Sequence, residues 1–171
     1  MTLKEQLNND LKTALKSGDE TRRNTLRLVL AGIKQAEVDK RAAAAKQKSK
    51  GGELGEAQLA ELEKVGVEDS EVITVLQKEA KARRESIADA QKANRDDLIA
   101  ANEAELKIIE GYLPQALTRD ELVELARAAI AEAGATDNKH LGAVMKLLTP
   151  RTKGRADGKV VNDVVRELLG G

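Results

Sequence analysis

An apolar residue at every third or fourth position, repeated through most of the chain, predicts a protein built from amphipathic helices. Leu3, Leu7, Leu11 and Leu15 recur every four residues, and Thr2 and Glu5 stand at capping-box spacing, which predicts a first helix over about 3–16. Ser17-Gly18-Asp19 ends it and starts a second helix over about 19–41, with Leu26, Val29, Ile33 and Ala36 on one face and Ser17 and Glu20 again three apart. So short a connection implies an antiparallel hairpin. A short helix through Leu59 and Leu62 is expected over about 56–64, before Gly66. A long one follows, capped by Asp69 or Ser70 and carrying Ile73, Leu76, Ala80, Ile87 and Ala90. Arg83 falls on that stripe and is expected at its edge, with its stem packed and its head in water.

The segment Asn94-Arg95-Asp96-Asp97 reads as a helix end, an Asn in the left-handed conformation and a new start, so it is the expected domain boundary. A helix through Leu98, Leu106, Ile109 and Leu113 then stops at Pro114. Thr118-Arg119-Asp120-Glu121 is a capping box opening a helix that Gly134 closes. The next helix is expected over about 139–149 with Pro150 at its end, and the last over about 157–169, where Val160, Val161, Val164, Val165, Leu168 and Leu169 keep helical spacing. The expected fold is all-α, with an N-terminal helical hairpin plus a long helix in a domain over 1–94, and a small helical bundle over 95–171.

Composition narrows the function. One Tyr and no Phe or Trp leave almost nothing for bases to stack on, which excludes single-strand binding by aromatic platforms. Tyr112, the only aromatic, is expected as a core lid beside the Pro114 stop. No cysteine is present, so disulfides, thiolate chemistry and cysteine zinc sites are excluded. No apolar run approaches the roughly 20 residues of a membrane span. The N-terminus is charged, without a signal-peptide core, so a cytoplasmic location is expected. The 29 basic and 29 acidic residues cancel, yet they are sorted: residues 95–138 carry a net −6 and residues 139–171 a net +4.

That positive charge gathers around Lys153-Gly154-Arg155-Ala156-Asp157-Gly158-Lys159. Gly154 and Gly158 allow a tight turn, Asp157 is placed to cap the following helix, and Arg151, Lys153, Arg155 and Lys159 crowd one bend. The bend is either a solvated interhelical loop or a contact for a polyanion, most simply phosphate. A second basic run, Lys40, Arg41, Lys46, Lys48 and Lys50, reads either as a frayed helix end entering a mobile loop or as another polyanion contact.

Catalytic constellations are missing from the pattern. His140 is the only histidine, near a helix start, so neither a two-His metal site nor HExxH is possible, and no GxSxG or phosphate-binding glycine motif occurs. No catalytic residue, cofactor or metal is implied.

The runs Tyr112-Leu113-Pro114-Gln115-Ala116-Leu117, Leu141-Gly142-Ala143-Val144-Met145-Lys146, Leu76-Gln77-Lys78-Glu79-Ala80-Lys81 and the Lys153 to Asn162 stretch resemble the GatB/YqeY family over nearly the whole chain. The resemblance implies an all-helical, stand-alone YqeY-like protein whose small C-terminal domain is similar to the tail of the B subunit of the glutamyl/aspartyl-tRNA amidotransferase. In that enzyme the tail recognises tRNA and amide transfer takes place in other domains. The expected function is therefore a non-catalytic tRNA-binding accessory module, with Lys146, Arg151, Lys153, Arg155, Lys159 and His140 against backbone phosphates. Its implied partners are tRNA and the aminoacyl-tRNA amidotransferase or synthetase machinery. A helical protein-interaction adaptor is the alternative, and glutamine-dependent carbon–nitrogen ligation on aminoacyl-tRNA the third reading.

Overall fold

The computed structural model describes residues 1–49 and 52–170. Among them are eight α-helices: α1 (Leu3–Ser17), α2 (Glu20–Ser49), α3 (Glu56–Glu63), α4 (Asp69–Lys92), α5 (Asp96–Glu110), α6 (Arg119–Ala133), α7 (Leu141–Thr152) and α8 (Gly158–Leu168), with a 3₁₀ turn at Asn138–His140. The all-α expectation holds, and no strand occurs among the described residues. The chain divides into two compact units, Met1–Tyr112 and Leu113–Gly171. The boundary expected at residue 94 falls inside the first of them. Asn94 does take the left-handed conformation, φ 52°, but the turn it makes folds α5 back against α4.

In the first unit α1 pairs with α2 and α4 with α5, and α2 packs on α4 and α5. Leu7, Leu26, Val29, Ile33, Val72, Leu76, Ala80 and Ile109 are buried. Val72, not Ile73, heads the buried row of α4. The Thr2–Glu5 capping box forms in both directions. Asp19, not Ser17, caps α2 by accepting from the Arg22 N–H at 2.9 Å. Asp69 serves α1, accepting from the Leu3 N–H at 2.9 Å, while α4 opens at Glu68 with Glu71 reaching back to its N–H.

Two expectations are corrected here. Helix α2 does not fray after Arg41 but runs to Ser49, because the alanines at 42–45 are strong helix formers and three of the cations flanking them are engaged. Lys40 pairs with Glu71 at 2.7 Å, Arg41 Nε donates to the Val65 carbonyl, and Lys48 pairs with Glu61. Lys50 and Gly51 lie outside the described residues. Arg83 does not hold its head in water: its side chain is 15% exposed and its guanidinium meets Glu105 at 2.5 Å and Glu79 at 4.0 Å.

The second unit closes α6, α7 and α8 around Leu122, Ala126, Ala129, Val144, Leu148, Val161, Val164 and Val165. The Thr118–Glu121 capping box forms, and Gly134 ends α6 at φ 62°. Pro150 lies inside α7, not at its end. Only the N–H of residue 150 is lost to the ladder. The helix runs two residues further to the buried Thr152, whose Oγ1 donates to the Leu148 carbonyl at 3.1 Å.

Candidate nucleic-acid interface

Helix α7 contains no acidic residue. Its buried positions Val144 and Leu148 each stand two residues from Lys146, and two residues are about 200° of rotation, so Lys146 points directly away from the core. Lys153 follows seven residues later, at the C-cap, about 10 Å further along the same face. Between and beside them stand the exposed Gly142, Ala143, Thr149 and Pro150, so the face has low relief between its cations. An added Cβ at Gly142 would meet nothing within 4 Å, which confirms how open this side is.

The bend after α7 is built by backbone. Gly154 takes φ 81°, and the Thr152 carbonyl accepts from both the Arg155 N–H (2.9 Å) and the Ala156 N–H (3.0 Å). Gly158 makes no use of the left-handed conformation open to it, because it is already the first residue of α8. Asp157 is the cap, its Oδ1 accepting from the Lys159 N–H at 2.8 Å, and α8 has no acidic residue in its first turn. The single carboxylate of the bend is thereby occupied.

The six expected contact residues divide into two groups. Lys146, Lys153 and Lys159 are exposed and form no ion pair among the described residues. The other three are engaged. Arg151 reaches Glu132 of α6 at 2.6 Å. Arg155 is half-buried: its Nε donates to the Gln115 carbonyl at 3.1 Å while its own carbonyl accepts from the Leu117 N–H at 2.8 Å, so it clips residues 115–117 to the bend. His140 Nδ1 lies 3.1 Å from Asp137 Oδ1. Lys139 is absent from the expected set, yet it is exposed and forms no ion pair among the described residues. The seven-residue spacing of Lys139, Lys146 and Lys153 is the signal that finds it.

Local electrostatics keep this side positive. Glu121 has its carboxyl held below the ordinary range by the Thr118 backbone N–H, then by the Thr118 hydroxyl and by the charge of Arg155. It is spent on the α6 cap. The arrangement offers dispersed ammonium groups on a smooth helical face, a geometry that can meet several phosphates of one backbone.

The comparisons with known proteins agree on the family of the fold. A family model described as "Yqey-like protein" matches residues 4–169. Among curated relatives, the chain is 27% identical over 168 residues to "Altered inheritance of mitochondria protein 41, mitochondrial" of Pyrenophora tritici-repentis, covering 96% of this chain and 80% of that one. A protein of the same name from Lachancea thermotolerans is 35% identical over 109 residues, covering 64% and 46% respectively. The Eremothecium gossypii counterpart is 31% identical over 133 residues, covering 76% and 60%. All three names place the relative in mitochondria, and the cytoplasmic location expected from the sequence is corrected accordingly.

Proposed function

The chain belongs to the YqeY-like family, and from that premise we propose that it is a non-catalytic tRNA-binding accessory module, related to the tRNA-dependent amidotransferase, whose RNA-facing surface is the outward side of α7 with the bend into α8. The observation that carries this reading is the acid-free face on which Lys146 and Lys153 stand two turns apart, they and the adjacent Lys159 having no ion pair among the described residues. Ammonium groups held this way release counterions when phosphates replace them, which supplies affinity without reading sequence. The near absence of aromatic side chains removes base stacking as a source of affinity, so the partner would be recognised by backbone shape and position. Arg151 and Arg155 support this surface from behind, one tying α7 to α6 and the other fixing the bend. The proposed partners are tRNA and the amidotransferase or synthetase machinery that handles its aminoacylated form.

Crosslinking the intact protein to tRNA and mapping the modified peptides by mass spectrometry tests this. Crosslinks concentrated between residues 139 and 159 are the expected result. Crosslinks confined to the first unit would overturn the assignment of this surface, and protein partners that survive nuclease treatment with no RNA enriched would replace RNA binding with an adaptor role.

A further inference from the structure

The first unit holds a cleft of about 430 Å³ whose polar side is formed by Gln6, Asp10, Arg22, Lys107 and Tyr112, with Ile108 among its apolar residues. Tyr112 Oη donates to Asp10 Oδ2 at 2.5 Å and accepts from Arg22 Nη2 at 2.9 Å. The same Nη2 lies 3.3 Å from Asp10 Oδ2, and the guanidinium sits 6.0 Å from the centre of the tyrosine ring. The sequence expectation of a core lid is thus corrected: Tyr112 is half-buried, and its hydroxyl fixes the orientation of two charged groups.

This network leaves hydrogen-bonding capacity unspent. Arg22 Nε and Nη1, Asp10 Oδ1, the Gln6 amide and Lys107 Nζ have no partner among the described residues. Two cations face one carboxylate, so the cleft carries a formal surplus of one positive charge. A guanidinium already held through Nη2 by Tyr112 and Asp10 keeps its remaining N–H groups, on Nε and Nη1, in fixed directions, each able to donate a charge-assisted bond to an oxyanion oxygen.

We propose that this cleft binds a small organic anion, whose carboxylate or phosphate oxygens engage Arg22 and Lys107 and whose own hydroxyl or amino donor meets Asp10 Oδ1. A volume of about 430 Å³ falls at the small end of ligand pockets. Because the network orients Arg22 before the ligand arrives, little side-chain freedom is lost on binding. The site lies wholly within residues 1–112, and its proposal does not rest on RNA binding by the second unit.

Tyr112 is the only aromatic residue, so its ring NMR signals report on the cleft without ambiguity. The probes are glycerol 3-phosphate and lactate, each pairing an anionic head with a hydroxyl, against sodium chloride at matched ionic strength. The expected result is a saturable shift of the Tyr112 signals with at least one probe, and the head that saturates at lower concentration identifies the ligand chemistry. Lys107→Ala, which removes no hydrogen bond or ion pair among the described residues, is expected to weaken that binding about tenfold while leaving the ring signals of the free protein in place. No shift beyond that of sodium chloride with either probe would overturn the proposal, as would equal affinity in Lys107→Ala.

Discussion

Lys153 and Arg155 stand two residues apart with the same charge, and the fold gives them different work. Lys153 holds nothing, so Lys153→Ala is expected to change stability by less than about 0.5 kcal/mol while weakening tRNA binding. Arg155→Ala removes the donor to the Gln115 carbonyl and is expected to cost about 1 kcal/mol in chemical denaturation. Should Lys153→Ala prove the more destabilising, the division between contact and scaffold is wrong. Tyr112 supplies a second test. Burial, and then its bond to Asp10, push its hydroxyl up to about 12. The unfolded chain gives up this proton near pH 10, whereas the folded chain retains it. The contribution of Tyr112 to stability is therefore present below about pH 10 and lost as pH rises towards about 12. Absorbance titration should show a midpoint near 12 in the native protein and near 10 in urea. Coincident midpoints would mean that the network with Asp10 and Arg22 does not form.

At the scale of the element, the helices were legible because the apolar period, the capping boxes at Thr2 and Thr118 and the closing Gly18 and Gly134 agree with one another. What escaped sequence reasoning was tertiary. Nothing local says that Pro150 sits within a helix, because the Thr152 hydroxyl that carries the turn past it matters only once the residue is buried. The extension of α2 to Ser49 likewise depends on Glu61, Val65 and Glu71, which later helices bring alongside. The basic corner was visible as a cluster, but its partition into free lysines and engaged arginines was not, since Glu132 and Gln115 lie 19 and 40 residues from their partners. The bend itself is testable through its two glycines. At φ 81°, Gly154→Ala is expected to cost about 1–2 kcal/mol. Gly158→Ala, in an open first helical turn, should stabilise by about 0.5 kcal/mol. Equal effects on the denaturation midpoint would argue against this geometry.

Across the whole molecule, neutrality hides an uneven distribution: in the second unit α6 carries four acids and α7 none, while lysines without an ion pair among the described residues run from Lys139 through Lys146 and Lys153 to Lys159. Acid sensitivity should follow from carboxyls held below their ordinary range, notably Glu37 through its bond from Lys4, Glu61 through Lys48 and Glu121 through Thr118. Each favours the folded state above about pH 4.3, the unfolded value, and loses that contribution as pH falls through its lower folded value. Urea midpoints should accordingly hold between pH 7 and about pH 5 and decline below that. A midpoint that stays level to about pH 3 would show that these pairs contribute nothing. For the RNA-facing surface, the most direct measurement is tRNA affinity against salt concentration for the wild type and for the Lys146/Lys153/Lys159→Ala variant. If those three ammonium groups each meet a phosphate, the slope of log affinity against log salt becomes shallower by about three. An unchanged slope would contradict a phosphate-binding role for this face.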